Sequence, residues 1–146
     1  MLRIPFWLLI VTVAQAATPA FHPSFDNPAE SWAVVRGSAS LDPVILRDGK
    51  KSPRLERDAA SEDACVRLTP VALTIGKRYE LSGWVRAESI EVRDLDRTPI
   101  AVGAALAMES MPFDVHSASL GGTHPWTRLA LQFVATRAQD QILLMV

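Results

Sequence analysis

Cysteine is nearly absent: Cys65 stands alone in 146 residues. No internal disulfide can form, so an exported chain of this kind must be held by its core alone. No excess of one charge exists either. Lys plus Arg number 15 against 16 for Asp plus Glu, a formal charge of −1, which leaves no clustered basic footprint for nucleic acid. The longest apolar block falls short of the roughly 20 residues that span a bilayer as a helix. Catalytic signatures are missing as well. His22, His116 and His124 form no HExxH pair, and there is no cysteine cluster for zinc. Asp114-Val115-His116 puts a carboxylate near an imidazole, but no Gly-x-Ser-x-Gly elbow or glycine-rich phosphate loop accompanies it. The chain therefore reads as non-catalytic. Asn27 and Tyr79 are the only residues of their kinds, a poor supply of two types that glycan grooves often use.

What is present is apolar content, 49% of the chain with 21% charged. That balance excludes the disordered class and suits one ordinary domain. The N-terminus has its own character. Met1-Leu2-Arg3 carries one positive charge, residues 4–13 are apolar but for Pro5 and Thr12, and Ala14-Gln15-Ala16 has the small-x-small form of a signal-peptidase site. Residues 1–16 are expected to be a secretory signal, with residues 17–146 as a secreted or periplasmic domain free of the membrane.

The rest reads as short strands. In RYELSGWVRAE, residues 78–88, Tyr79, Leu81, Gly83, Val85 and Ala87 alternate with Glu80, Ser82, Trp84, Arg86 and Glu88. Strict alternation marks a strand with one buried face. Strands are also expected over 21–26, 32–36, 43–47, 54–57 and 64–69, with Asp48-Gly49 as a tight turn between two of them. Cys65 shares its outward parity with Arg67 and Thr69, opposite Ala64, Val66 and Leu68, and is expected to be inert. In IAVGAALAME the helix-forming composition conflicts with an alternation of Val102, Ala104, Leu106 and Met108 against Ala101, Gly103, Ala105 and Ala107. Lacking helical neighbours, it is expected to be a strand closely approached on its small-residue face. Residues 93–97, RDLDR, suit a solvated loop. Leu129, Leu131, Phe133 and Ala135 alternate with Arg128, Ala130, Gln132 and Val134. Residues 140–146 are apolar on both faces, as a doubly buried strand would be. Because the chain ends within that run, the sequence is expected to be an N-terminal fragment that lacks at least one strand, with a whole downstream domain, catalytic if the resemblance below holds, as the wider alternative.

Phe25-Asp26 followed by Trp32, Val66-Arg67-Leu68, GK-x-Y-x-LS-x-W-V-R-A from Gly76, and Gly122-Thr123-x-x-Trp126-Thr127 before Phe133 form an ordered set. It resembles the galactose-binding-like jelly-roll domains, in particular carbohydrate-binding modules of secreted polysaccharide-degrading enzymes. The resemblance implies an all-β antiparallel jelly-roll sandwich and a non-catalytic accessory module. The alternative is a packing domain of a secreted hydrolase such as a zinc carboxypeptidase. It implies no cofactor; the structural calcium common in such domains has no identifiable ligands here.

Trp84 is the candidate centre of a site, because its parity sends it away from the Tyr79 face among polar neighbours. An indole offers a flat apolar surface to a sugar, with Glu80 and Arg86 as hydrogen-bonding groups. Arg67 and Gln132, outward by the same parity, complete the candidate glycan-binding set. Structural cover is the competing reading. Hiding about 150–250 Å² of indole stabilises by about 4–6 kcal/mol at most, and residues 111–123 or a following domain are available to do it. Trp32 and Trp126, beside strand starts, are expected to plug the sandwich ends.

Overall fold

The computed structural model describes residues 4–13, 19–21, 25, 31–47, 49–57, 63–90 and 103–146, of which only the backbone is considered at 4–13, 19–21, 45 and 46. Among the described residues all regular structure is extended, in strands β1 (Ile4–Val13), β2 (Pro19–Phe21), β3 (Trp32–Arg36), β4 (Ser38–Arg47), β5 (Lys50–Glu56) and β6 (Cys65–Leu68). The order continues with β7 (Val71–Ala72), β8 (Arg78–Ile90), β9 (Ala105–Met108), β10 (Gly122–Val134), β11 (Gln139–Asp140) and β12 (Ile142–Met145). A six-stranded sheet runs β10-β8-β1-β5-β4, with β2 also on β1; a four-stranded sheet runs β3-β6-β12-β9; β11 and β7 form a small ribbon. Every pairing is antiparallel. The expected all-β class is what the chain adopts.

One core joins the two larger sheets. Tyr79, Leu81 and Val85 of β8, Leu129, Leu131 and Phe133 of β10 and Leu55 of β5 meet Val66, Leu68, Leu106, Met108, Ile142 and Leu144 from the other sheet. The alternation in β8 is therefore the pleat of a half-buried strand. Tyr79 and Phe133 are register partners with stacked rings, centroids 5.7 Å apart. The Tyr79 hydroxyl accepts from the Thr74 backbone N–H at 2.8 Å, which satisfies the ring's polar end at the edge of the core. Tyr79→Phe is expected to cost about 1–2 kcal/mol, measurable by urea denaturation, since it strips one donor of its partner while leaving the stack.

Local signals explain the connections. The turn expected at Asp48-Gly49 falls between the paired Arg47 and Lys50 of the β4–β5 hairpin, where Gly49 adopts φ 75°. Asp48 itself lies outside the described residues, as do residues 93–97, 101 and 102 and most of the strand expected over 21–26. Within β4 the pairing jumps from Asp42 to Arg47, so residues 43–46 leave the ladder. Val44 stands 81% exposed there.

The expectation for IAVGAALAME holds over its described part. Ala104, Leu106 and Met108 enter the main core, whereas Ala105 and Ala107 join Cys65, Leu143 and Met145 in a second buried cluster. The doubly buried character read in residues 140–146 has the same cause, with Ile142 and Leu144 on one side and Leu143 and Met145 on the other. The Cys65 thiol is free, 2% exposed, and pushed by burial from 9.0 up to about 11. A thiol-specific reagent at pH 8 is thus expected to leave it unmodified until the protein unfolds. The unfolded thiol ionises near 9.0 and the folded one near 11. Its contribution to stability is complete below pH 9 and falls away as pH rises towards 11.

Residues 4–13, the apolar centre of the expected leader, form β1. The strand pairs with β8 from Phe6↔Val85 to Val13↔Tyr79 and with β5 at Ile4↔Leu55 and Pro5↔Arg54.

Candidate binding face

The outer face of the six-stranded sheet is built by the parity of β8 and β10. Glu80, Ser82, Trp84, Arg86 and Glu88 project from β8, and β10 sets Gln132 opposite Glu80, Ala130 opposite Ser82 and Arg128 opposite Trp84. Trp84, Arg86 and Glu80 are half-buried, and Gln132 is exposed. These four candidates share one face.

Glu80, Arg128 and Arg47 around the indole are already engaged. Arg128 donates to the Glu80 carboxylate in an ion pair that runs along the face past Ala130 and Ser82. Ser82 is only 4% exposed although it lies on the outer side. The Arg47 guanidinium carbon sits 4.1 Å from the Trp84 ring centroid, close enough for a cation–π contact. Pairing of β5 with β1 ends at Arg54↔Pro5, and the hairpin tip beyond that point carries Arg47 to the indole. Arg47, rather than residues 111–123, lies over the ring. That loop instead borders β9, through bridges Ala104↔Leu120 and Ala107↔His116.

Arg67 has the outward parity expected of it but belongs to the other sheet, on β6, where it pairs with Glu109 at 3.0 Å. The outer faces of two packed sheets point apart, so Arg67 does not share the Trp84 face. Glu109 also lines a shallow polar cleft of about 190 Å³ with Pro70, Arg137, Gln139, Asp140 and Gln141. Asp140 there accepts from the Gln141 N–H at 2.8 Å and the Ser110 N–H at 3.2 Å, so its carboxylate is held by its own chain neighbour and by the turn after β9.

Trp32 packs against the main core, in keeping with a plug, and Trp126 is half-buried in β10. In the Asp114-Val115-His116 stretch, His116 Nδ1 lies 2.9 Å from the Ser117 carbonyl oxygen, to which it donates. Among the described residues no group of three or more His, Cys, Asp or Glu is placed to hold a metal ion.

Sequence reasoning missed Arg47 and the Arg128–Glu80 pair. The pair was within reach, since Arg128 has outward parity and β10 neighbours β8. Arg47 gave no such signal, because its contact depends on where a distant hairpin tip falls. Compared with known proteins, the chain matches no family model, no curated protein and no solved structure.

Proposed function

We propose that this chain is a non-catalytic accessory module of a secreted protein, of the galactose-binding-like jelly-roll type, and that it binds glycan on the outer face of β8. One observation carries the reading: Trp84 stands on the outer side of a sheet whose other face is a well-filled core. A large apolar ring among Glu80, Arg86 and Arg128 is the composition of a carbohydrate platform, an apolar plane rimmed by polar groups. Arg47 is a cap over it that a sugar would displace. Gln132 completes the rim. The test is retention on a panel of insoluble polysaccharides. Trp84→Ala is expected to lower retention at least about tenfold, equivalent to about 1.4 kcal/mol, while Arg67→Ala on the far sheet leaves it unchanged. Equal, negligible retention of all three proteins would end the proposal.

A second reading is favoured by the Arg47 contact. With its ring already under a guanidinium and Glu80 already paired, the face also suits packing against a neighbouring domain, such as the catalytic domain of a hydrolase. Arg47→Ala separates the two. Uncapping the ring raises glycan retention if the indole is a sugar platform, and alters only stability if it is a packing surface.

A further inference from the structure

The β8–β5 gap is bridged by one strand. In the order β10-β8-β1-β5-β4, β1 is, among the described residues, the strand that links the β10–β8 pair to the β5–β4 hairpin. Its residues, IPFWLLIVTV, carry no charge, and Phe6, Trp7 and Leu9 to Val13 each have a register partner in β8. The same stretch has the composition of a removable leader, cut after Ala16. The two roles exclude each other in one molecule. A cut chain that loses residues 1–16 bares the β8 ladder from Tyr79 to Val85 and separates the hairpin from the sheet. Unpaired ladder groups beside a core as dry as Leu81 and Val85, both 0% exposed, demand a replacement.

We propose that the gap between β8 and β5 is a strand-acceptor site. Ile4–Val13 fills it in the chain as translated. Once residues 1–16 are removed, it takes an uncharged, apolar, extended segment of another polypeptide, antiparallel to β8. The occupant's chemistry follows from the strand now seated there. Backbone groups of the flanking strands supply the affinity. The period-two pleat turns alternate residues of the occupant to the core side, which requires those to be apolar. The uncharged composition of IPFWLLIVTV is the pattern for the rest. The inference rests on the leader reading of residues 1–16 and not on glycan binding.

The test starts from the full chain carrying a specific protease site between Ala16 and Ala17, folded and then cut in vitro, so that processing in cells plays no part. The excised 1–16 fragment is expected to remain with the protein through gel filtration. It should then exchange with a fluorescent synthetic peptide of residues 4–13 bearing a solubilising tail. A peptide with Ile10→Pro, which cannot donate at that position, is expected to bind at least about tenfold more weakly. Hydrogen exchange at Tyr79 to Val85 should be slow with peptide bound and fast without it. Loss of the fragment with no rebinding of the peptide overturns the proposal, whether the remainder stays folded or precipitates. Equal binding of the Ile10→Pro peptide overturns it too.

Discussion

Gly103→Ala should destabilise the domain by about 3 kcal/mol or more, seen as a large loss in urea midpoint. Gly103 has φ 146°, and a Cβ built there would lie 2.6 Å from the Leu120 carbonyl oxygen and 2.9 Å from its carbon. The obstacle is backbone, which cannot swing aside as a side chain would. It is also anchored, since Ala104 and Leu120 exchange two hydrogen bonds of 2.9 Å immediately beside it. Relief of the clash must therefore break that pair and pull residues 115–120 off the edge of β9. Gly49→Ala supplies the contrast. Its φ of 75° is equally unfavourable for alanine, but nothing lies within 4 Å of the added carbon, so the expected cost is about 1 kcal/mol. Similar losses at the two sites would refute the close-approach argument and leave backbone conformation as the whole cause.

Leu81→Ala should cost about 3–5 kcal/mol and lower the melting temperature by roughly 10 °C. Leu81 is fully buried, lies in the first half of β8, and pairs in register with Leu131 on one side and Val11 on the other. A cavity at that point touches the core shared by both large sheets, where neighbours fixed in two ladders cannot collapse to fill it. The loss is a large fraction of the stability of an ordinary domain, about 5–15 kcal/mol. Gln132→Ala, on the outer face opposite Glu80, should stay within about 0.5 kcal/mol. A small effect of Leu81→Ala, comparable with Gln132→Ala, would show that β8 does not present this face to the core.

Much of the fold was legible because the signals were local. The pleat of β8, the Asp48-Gly49 turn and the small-residue face of β9 each lie within a dozen residues. The close approach expected at that small face occurs at Gly103, where the Leu120 backbone borders the strand. Contacts made by distant elements were not legible. Arg67 does point outward as its parity indicates, but parity does not say which sheet a strand joins, and β6 sets Arg67 on a face that Trp84 does not share. Cys65 likewise has outward parity, but the second cluster that buries it needs β12 beside β6 and β9 beyond β12. Ser82 is outward by alternation and buried by its cover, and Trp84 meets Arg47 through a hairpin tip that no spacing reveals. Residues 4–13 fit two patterns at once, because an uncharged apolar run of that length serves as a leader core or as an interior strand.

The most direct test of the account is cysteine accessibility along β8. Single cysteines replace Glu80, Leu81, Val85, Arg86, Ala87 and Glu88 in turn, and buried Cys65 acts as the unreactive internal reference. Positions 80, 86 and 88 should react with a thiol reagent at least about a hundredfold faster than 81, 85 and 87, whose exposure requires opening of the core. That alternation is the predicted result. Equal rates at all six positions, or protection recurring every three to four residues, would contradict the pleated strand that carries Trp84 outward and Tyr79 inward.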